Sequence, residues 1–124
     1  MENIRYEEKL KDLLITTAKQ NASDLHIAVG RRPSIRVDGV LVSLQKEPIV
    51  TPDIAEGLIL TMLSDEQKSR FNRERQLDFA YSFEDKIRFR VNVYFQRGYH
   101  SAAMRLIPSR IRNIEELRLP PVGP

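Results

Sequence analysis

Leu77-Asp-Phe-Ala-Tyr-Ser-Phe83 and Ile87-Arg-Phe-Arg-Val-Asn-Val-Tyr-Phe95 place their apolar residues on odd positions: Leu77, Phe79, Tyr81 and Phe83, then Ile87, Phe89, Val91, Val93 and Phe95. Alternation of this kind is the period of a β-strand with one buried face. The odd-length loop Glu84-Asp85-Lys86 keeps both runs in one parity, so the odd side chains share a sheet face and Arg88, Arg90 and Asn92 take the other. A turn centred on Arg97-Gly98 with an even loop returns the chain through Met104-Arg-Leu-Ile107. In that register Phe89 lies near Leu106, Val91 near Met104 and Val93 near Ala102, and Arg90 faces Arg105. Asp78 is placed to pair with Asn92.

Two arginines directly across a strand pair repel, at a cost of a few tenths of a kcal/mol to ~1. An anion between them removes that cost, and arginine's planar fork suits bidentate contacts to phosphate or carboxylate. From Lys86 to Arg112 the basic residues are Lys86, Arg88, Arg90, Arg97, Arg105, Arg110 and Arg112, with no Asp or Glu among them. Arg88, Arg90 and Arg105 therefore converge on one face without an acidic neighbour in sequence. A solvated edge face is the alternative reading of the same composition.

The rest of the chain supplies helices and a small meander. Ile4, Leu10, Leu13, Leu14 and Thr17 to Ala18 recur at helical spacing until Asn21-Ala-Ser interrupts them. Asp24-Leu-His-Ile-Ala-Val29 alternates as a half-buried strand, with Asp24 and His26 on its polar side as structural hydrogen-bonding groups. Ser34–Val37 and Val40–Leu44 flank Asp38-Gly39, a dipeptide suited to a two-residue hairpin, so these three strands form a meander. Thr51-Pro52-Asp53 opens a short helix with Ile54, Leu58, Ile59 and Met62 on one side. Ser64-Asp-Glu-Gln67 has capping-box spacing and predicts a second helix from Asp65 to Arg75, with Phe71 inward and Arg70, Arg73 and Arg75 on a solvated face. After Pro108 a short helical turn at most precedes Pro120-Pro121.

The fold class expected is α+β: a mostly antiparallel sheet of about six strands with an N-terminal helix and two middle helices. At 124 residues a core needs no metal or disulfide staple. The absence of Cys excludes thiol catalysis and Cys-ligated zinc, and His26 and His100 alone predict no metal site. No apolar run approaches the ~20 residues that span a bilayer, so a soluble cytoplasmic protein, peripheral to the inner membrane at most, is expected. The domain is assigned to 1–118 and the start of a linker to 119–124.

Ala22-Ser-Asp-Leu-His-Ile, Gly30, Pro33, Arg36-Val-Asp-Gly39, Arg88-Phe-Arg-Val-Asn-Val-Tyr-Phe-Gln-Arg-Gly98 and Met104-Arg-Leu-Ile-Pro108 resemble, in order, the N-terminal domain of type IV pilus retraction ATPases. This is the twitching-motility PilT branch of the type II/IV secretion ATPase superfamily. The resemblance implies a PAS-like domain that precedes a RecA-like motor domain in a cytoplasmic homo-hexamer at the pilus base. It implies contacts with motor domains of the same and neighbouring subunits and with pilus base proteins. In that family N-domain arginines approach the phosphates of bound ATP; the matching positions are Arg88, Arg90, Arg97 and Arg105. The chain begins almost at its first helix, which is similar to the retraction branch more than to the assembly or secretion branches.

No Gly-x-x-x-x-Gly-Lys-Ser/Thr loop and no Walker B strand occur in the sequence, so no catalysis is expected from this chain alone. ATP would be held with Mg by the motor domain, and no tightly bound cofactor is expected here. Arg118 stands where the family usually carries Gly. Two alternatives use the same residues: a non-catalytic PAS-type partner-docking module, and a single-stranded nucleic-acid binder. The second needs aromatic rings beside the basic groups, whereas strand parity leaves Tyr94 alone on the arginine face, so no nucleic-acid partner is expected. Monomer or weak association is expected, because the periodic faces leave no long exposed apolar stripe.

Overall fold

A computed structural model describes residues 5–108. Along the chain run α1 (Tyr6–Lys19), β1 (Asp24–Ile27), β2 (Ser34–Val37), β3 (Val40–Ser43), α2 (Pro52–Thr61), α3 (Asp65–Glu74), β4 (Gln76–Phe83), β5 (Ile87–Gln96) and β6 (Tyr99–Ile107). The expected turn after Pro108, the linker from 119, the departure at Arg118 and the contribution of Ile4 lie outside the described residues.

The local signals act as their chemistry requires. Thr51 accepts a hydrogen bond from the Ile54 amide at 3.3 Å and Pro52 opens α2. Ser64 and Gln67 exchange both capping-box bonds, at 2.9 and 3.1 Å, which satisfies two otherwise unpaired amides at the start of α3. Both two-residue hairpins place two successive residues at positive φ, Asp38 (51°) with Gly39 (82°) and Arg97 (56°) with Gly98 (83°). That is the mirror-image turn whose twist matches the strands it joins.

One antiparallel sheet has the strand order β3-β2-β1-β6-β5-β4. The register of β5 on β6 pairs Phe89 with Leu106, Val91 with Met104, Val93 with Ala102 and Arg90 with Arg105, as the alternation predicts. Pairing of β1 with β6 joins the N-terminal meander to the C-terminal hairpins. Leu25, Ile27, Phe89, Val91, Val93, Ala102 and Met104 form one core with Leu10, Leu13 and Leu14 of α1, Ala55, Leu58 and Ile59 of α2, and Phe71 of α3. The helices thus cover one face of the sheet. At the α1–α2 contact the Tyr6 ring packs over Gly57, where a Cβ would stand 2.5 Å from it, so a larger residue there would displace the ring.

One side chain and one strand depart from the expected pattern. Arg70 and Arg73 lie 3.6 and 4.0 Å from Glu74, as a solvated helix face would have them. Arg75 instead ends α3 in the left-handed conformation and lays its guanidinium 3.9 Å from the centre of the Phe95 ring. Phe95 in turn stacks on Phe71 at 4.7 Å, with His100 tilted against it at 4.7 Å. The other departure is β3, every residue of which is exposed: Val40, Leu41 and Val42, with nearby Ile49, form an apolar edge. No long apolar stripe was expected; this one exists because the helices cover the other strands and leave β3 bare.

Phe89→Ala is expected to lower stability by about 3–5 kcal/mol, because the ring is fully buried at the centre of the sheet; urea unfolding measures it. Burial pushes the His100 imidazole below its usual 6.5, with Glu56 opposing and Arg75 adding to the depression. The unfolded chain therefore takes up this proton first, so the stability His100 contributes is complete above pH 6.5 and is lost as pH falls toward the folded-state value. Unfolding midpoints from pH 8 to 5 should decline less steeply in His100→Phe; an unchanged slope contradicts the assignment.

Candidate anion site on the open sheet face

The face of the sheet away from the helices is set by strand parity. Register places Arg36 of β2 beside Asp24 of β1, Asp24 beside Arg105 of β6, and Arg105 beside Arg90 of β5. With strands about 4.8 Å apart, these side chains form one row roughly 15 Å long. Arg88 lies on the same face, opposite Ile107. On the other side of the row Asn92 donates to Asp78 at 2.7 Å, the pairing expected from sequence. Arg90, Arg105, Asp24, Asp78 and Asn92 surround a depression of about 210 Å³ to which Ala103, between Arg105 and the turn, contributes only a methyl group.

Arg105 has a counter-ion that its neighbours in sequence do not provide. Its Nε donates to Asp24 Oδ2 at 3.4 Å across the β1–β6 pairing, and the Ser23 hydroxyl donates to the other carboxylate oxygen. The view of Arg88, Arg90 and Arg105 as acid-free is corrected for Arg105, because its partner lies 81 residues away and only the sheet brings the two together. The Arg105 side chain is 74% exposed, that of Asp24 only 12%. Such a half-solvated pair contributes about 0–1 kcal/mol, so its main effect is to orient Arg105. Arg88 and Arg90 have no ion-pair partner among the described residues. Asp24 and His26 sit on the polar side of β1 as expected, although the buried Nε2 of His26 has no hydrogen-bond partner among the described residues.

The structure brings together Arg88, Arg90 and Arg105. Arg97 stands apart from them: it occupies the β5–β6 turn, about 20 Å from Arg90 at the rise of an extended strand. Around that turn a second depression, of about 350 Å³, is lined by Arg31, Arg32, Tyr94, Arg97 and Tyr99 with His26. Tyr94 is not the only ring on the arginine face. Gln96 pairs with Tyr99 to close the two-residue turn, which gives Tyr99 the parity of Arg105 and corrects the count. The even loop carried that signal; Arg31 and Arg32, in the connection after β1, had none. Among the described residues no three His, Cys, Asp or Glu side chains gather to hold a metal ion, and no helix is long and apolar enough to cross a membrane.

No protein-family model matches the sequence. Among curated proteins, the type IV pilus retraction ATPase PilT of Pseudomonas aeruginosa is 36% identical over 108 residues, covering 87% of this chain and 31% of that protein. The type IV pilus ATPase PilU of the same organism is 31% identical over 115 residues, covering 93% and 29%. A crystal structure of the pilus retraction motor PilT with bound ADP superposes with a TM-score of 0.73 at 28% identity, over 87% of this chain and 30% of that one. The chain spans about a third of the length of the curated relatives it matches.

Asp24→Asn removes the negative charge from the row while keeping a side chain of the same shape. Affinity for pyrophosphate should rise about three- to tenfold at low salt, as expected for one charge removed next to two arginines. Calorimetric titration reads this, and an unchanged affinity would mean that the row does not bind the anion.

Proposed function

This chain is a homologue of the N-terminal region of the PilT and PilU type IV pilus ATPases, and from that premise we propose that it packs on RecA-like motor domains and supplies arginines to the phosphates of their ATP. The proposal places it in a cytoplasmic homo-hexamer at the pilus base, against motor domains of its own and neighbouring subunits. The observation that carries it is the directly opposed pair Arg90 and Arg105 on the uncovered face. Two like charges held side by side by a sheet are favourable once an anion lies between them.

In this reading Arg105, oriented by Asp24, presents its remaining N–H groups to a phosphate oxygen. Arg90 approaches the same phosphate group from the neighbouring strand, and Arg88 adds positive charge two residues along β5. Arg97 stands outside this group. ATP with its Mg supplies the scissile phosphoanhydride, and the residues that hold the metal belong to the motor domain. The part played by this chain is neutralisation of charge and positioning. A single arginine given to a transferring phosphoryl group contributes about 10³–10⁵ in rate in other nucleotide hydrolases.

In the full-length ATPase that the proposal requires, Arg90→Ala or Arg105→Ala should lower turnover by tenfold or more while the N-terminal domain keeps its unfolding midpoint. Unchanged turnover in both variants would remove the phosphate role. The apolar edge of Val40, Leu41 and Val42 favours a second reading, a docking module that binds no nucleotide. There, the arginine variants leave turnover intact and Val40→Lys disrupts assembly instead.

A further inference from the structure

We propose that the second depression on the open face binds a small phosphorylated ligand carrying a planar ring, of which a nucleoside monophosphate is the simplest form. Its volume, about 350 Å³, lies at the low end of the roughly 300–1,000 Å³ common for small-molecule sites. Segments distant in sequence build it: the end of β1 with the connection that follows, Ser34 of β2, Leu41 of β3, and the end of β5 with the β5–β6 turn and the start of β6. No Asp or Glu lines it, while Arg31, Arg32 and Arg97 do. Arg32 Nε donates to the Glu47 carbonyl at 3.1 Å, which holds that side chain and leaves its terminal nitrogens for a ligand. Arg31 and Arg97 have no ion-pair partner among the described residues.

Rings and phosphate ligands come together here. Tyr94 lies opposite Ser101, and Tyr99 is two residues from Ser101 on the same face, so the two rings are diagonal neighbours. A planar group can stack on such rings in a sequence-tolerant way, while the guanidinium forks take phosphate oxygens.

His26 lines the same depression. The mirror-image turn that Arg97 forms with Gly98, at φ 56° and 83°, fixes where Arg97 stands at its rim. The site is separate from the Arg90–Arg105 pair and stands without it.

The test is titration of the whole chain with AMP and, separately, with inorganic phosphate, followed by amide chemical shifts. Saturable shifts are expected at His26, Tyr94 and Gln96 to Tyr99, with AMP binding about tenfold more tightly than phosphate because its base can stack. Arg97→Asn should raise the unfolding midpoint by relieving the turn and at the same time weaken AMP binding about tenfold through loss of a charged contact. Arg90→Gln should leave AMP binding at these residues unchanged, so failure of the ATP-phosphate role would not mimic failure here. The proposal is overturned if AMP gives no saturable shifts at these residues by about 10 mM, binds no more tightly than phosphate, or binds Arg97→Asn as well as the parent chain. Tighter binding of a short single-stranded oligonucleotide than of AMP at the same residues would overturn it in favour of nucleic acid.

Discussion

The two-residue turn at Arg97-Gly98 governs which side chains the sheet shows to the helices and which it leaves open. It closes β5 onto β6 with Gln96 opposite Tyr99, and every pair from there to Arg88 and Ile107 follows without interruption. A slip of one residue between these strands would turn Met104 and Ala102 toward the open face and bring Arg105 and Ala103 beneath the helices, since the side-chain period is two. Burial of an unpaired arginine is far more unfavourable than any single hydrophobic contact is favourable. The apolar core and the arginine row thus enforce the same register from opposite faces. The turn needs two residues at positive φ, and Gly98 meets that need at no steric cost.

Across the middle of the sheet the pairing of β1 with β6 does two things at once. It joins the meander to the long hairpins, so that α1, α2 and α3 close over one continuous core. It also inserts Asp24 between Arg36 and Arg105, so that one carboxylate separates these two arginines while Arg105 and Arg90 remain side by side. The mostly buried carboxylate is anchored by Ser23 and holds the exposed guanidinium by one long bond. A group tethered this way is oriented but still able to form stronger, charge-assisted bonds to an arriving phosphate. The geometry of the row thus sets Arg90 and Arg105 apart from the other basic residues of the sheet.

Much of this was legible because it is local. The alternation in 77–95, the odd and even loop lengths, Asp38-Gly39, Thr51-Pro52 and the Ser64 capping box each act over a few residues, and every one appears in the structure where its chemistry places it. Contacts that depend on distant segments were not legible. Asp24 meets Arg105 from 81 residues away. Arg75 leaves the solvated helix face for the Phe95 ring because α3 ends where β5 turns, and β3 stays exposed because no helix reaches the edge of the sheet. Arg31 and Arg32 read in sequence as ordinary turn residues; only the neighbouring β5–β6 turn makes them part of a basic depression.

By itself, then, the sequence determined the class of fold, the two faces of the long hairpins and the opposition of Arg90 to Arg105. Parity and turn length suffice for these, since both are properties of consecutive residues. The tertiary structure alone decided which charges compensate one another, that Arg97 lies apart from the other three arginines, and that two tyrosines and three arginines enclose a second depression. Those outcomes depend on strand order, and strand order is settled by how the helices and strands of the described residues bury one shared core, which no local spacing encodes.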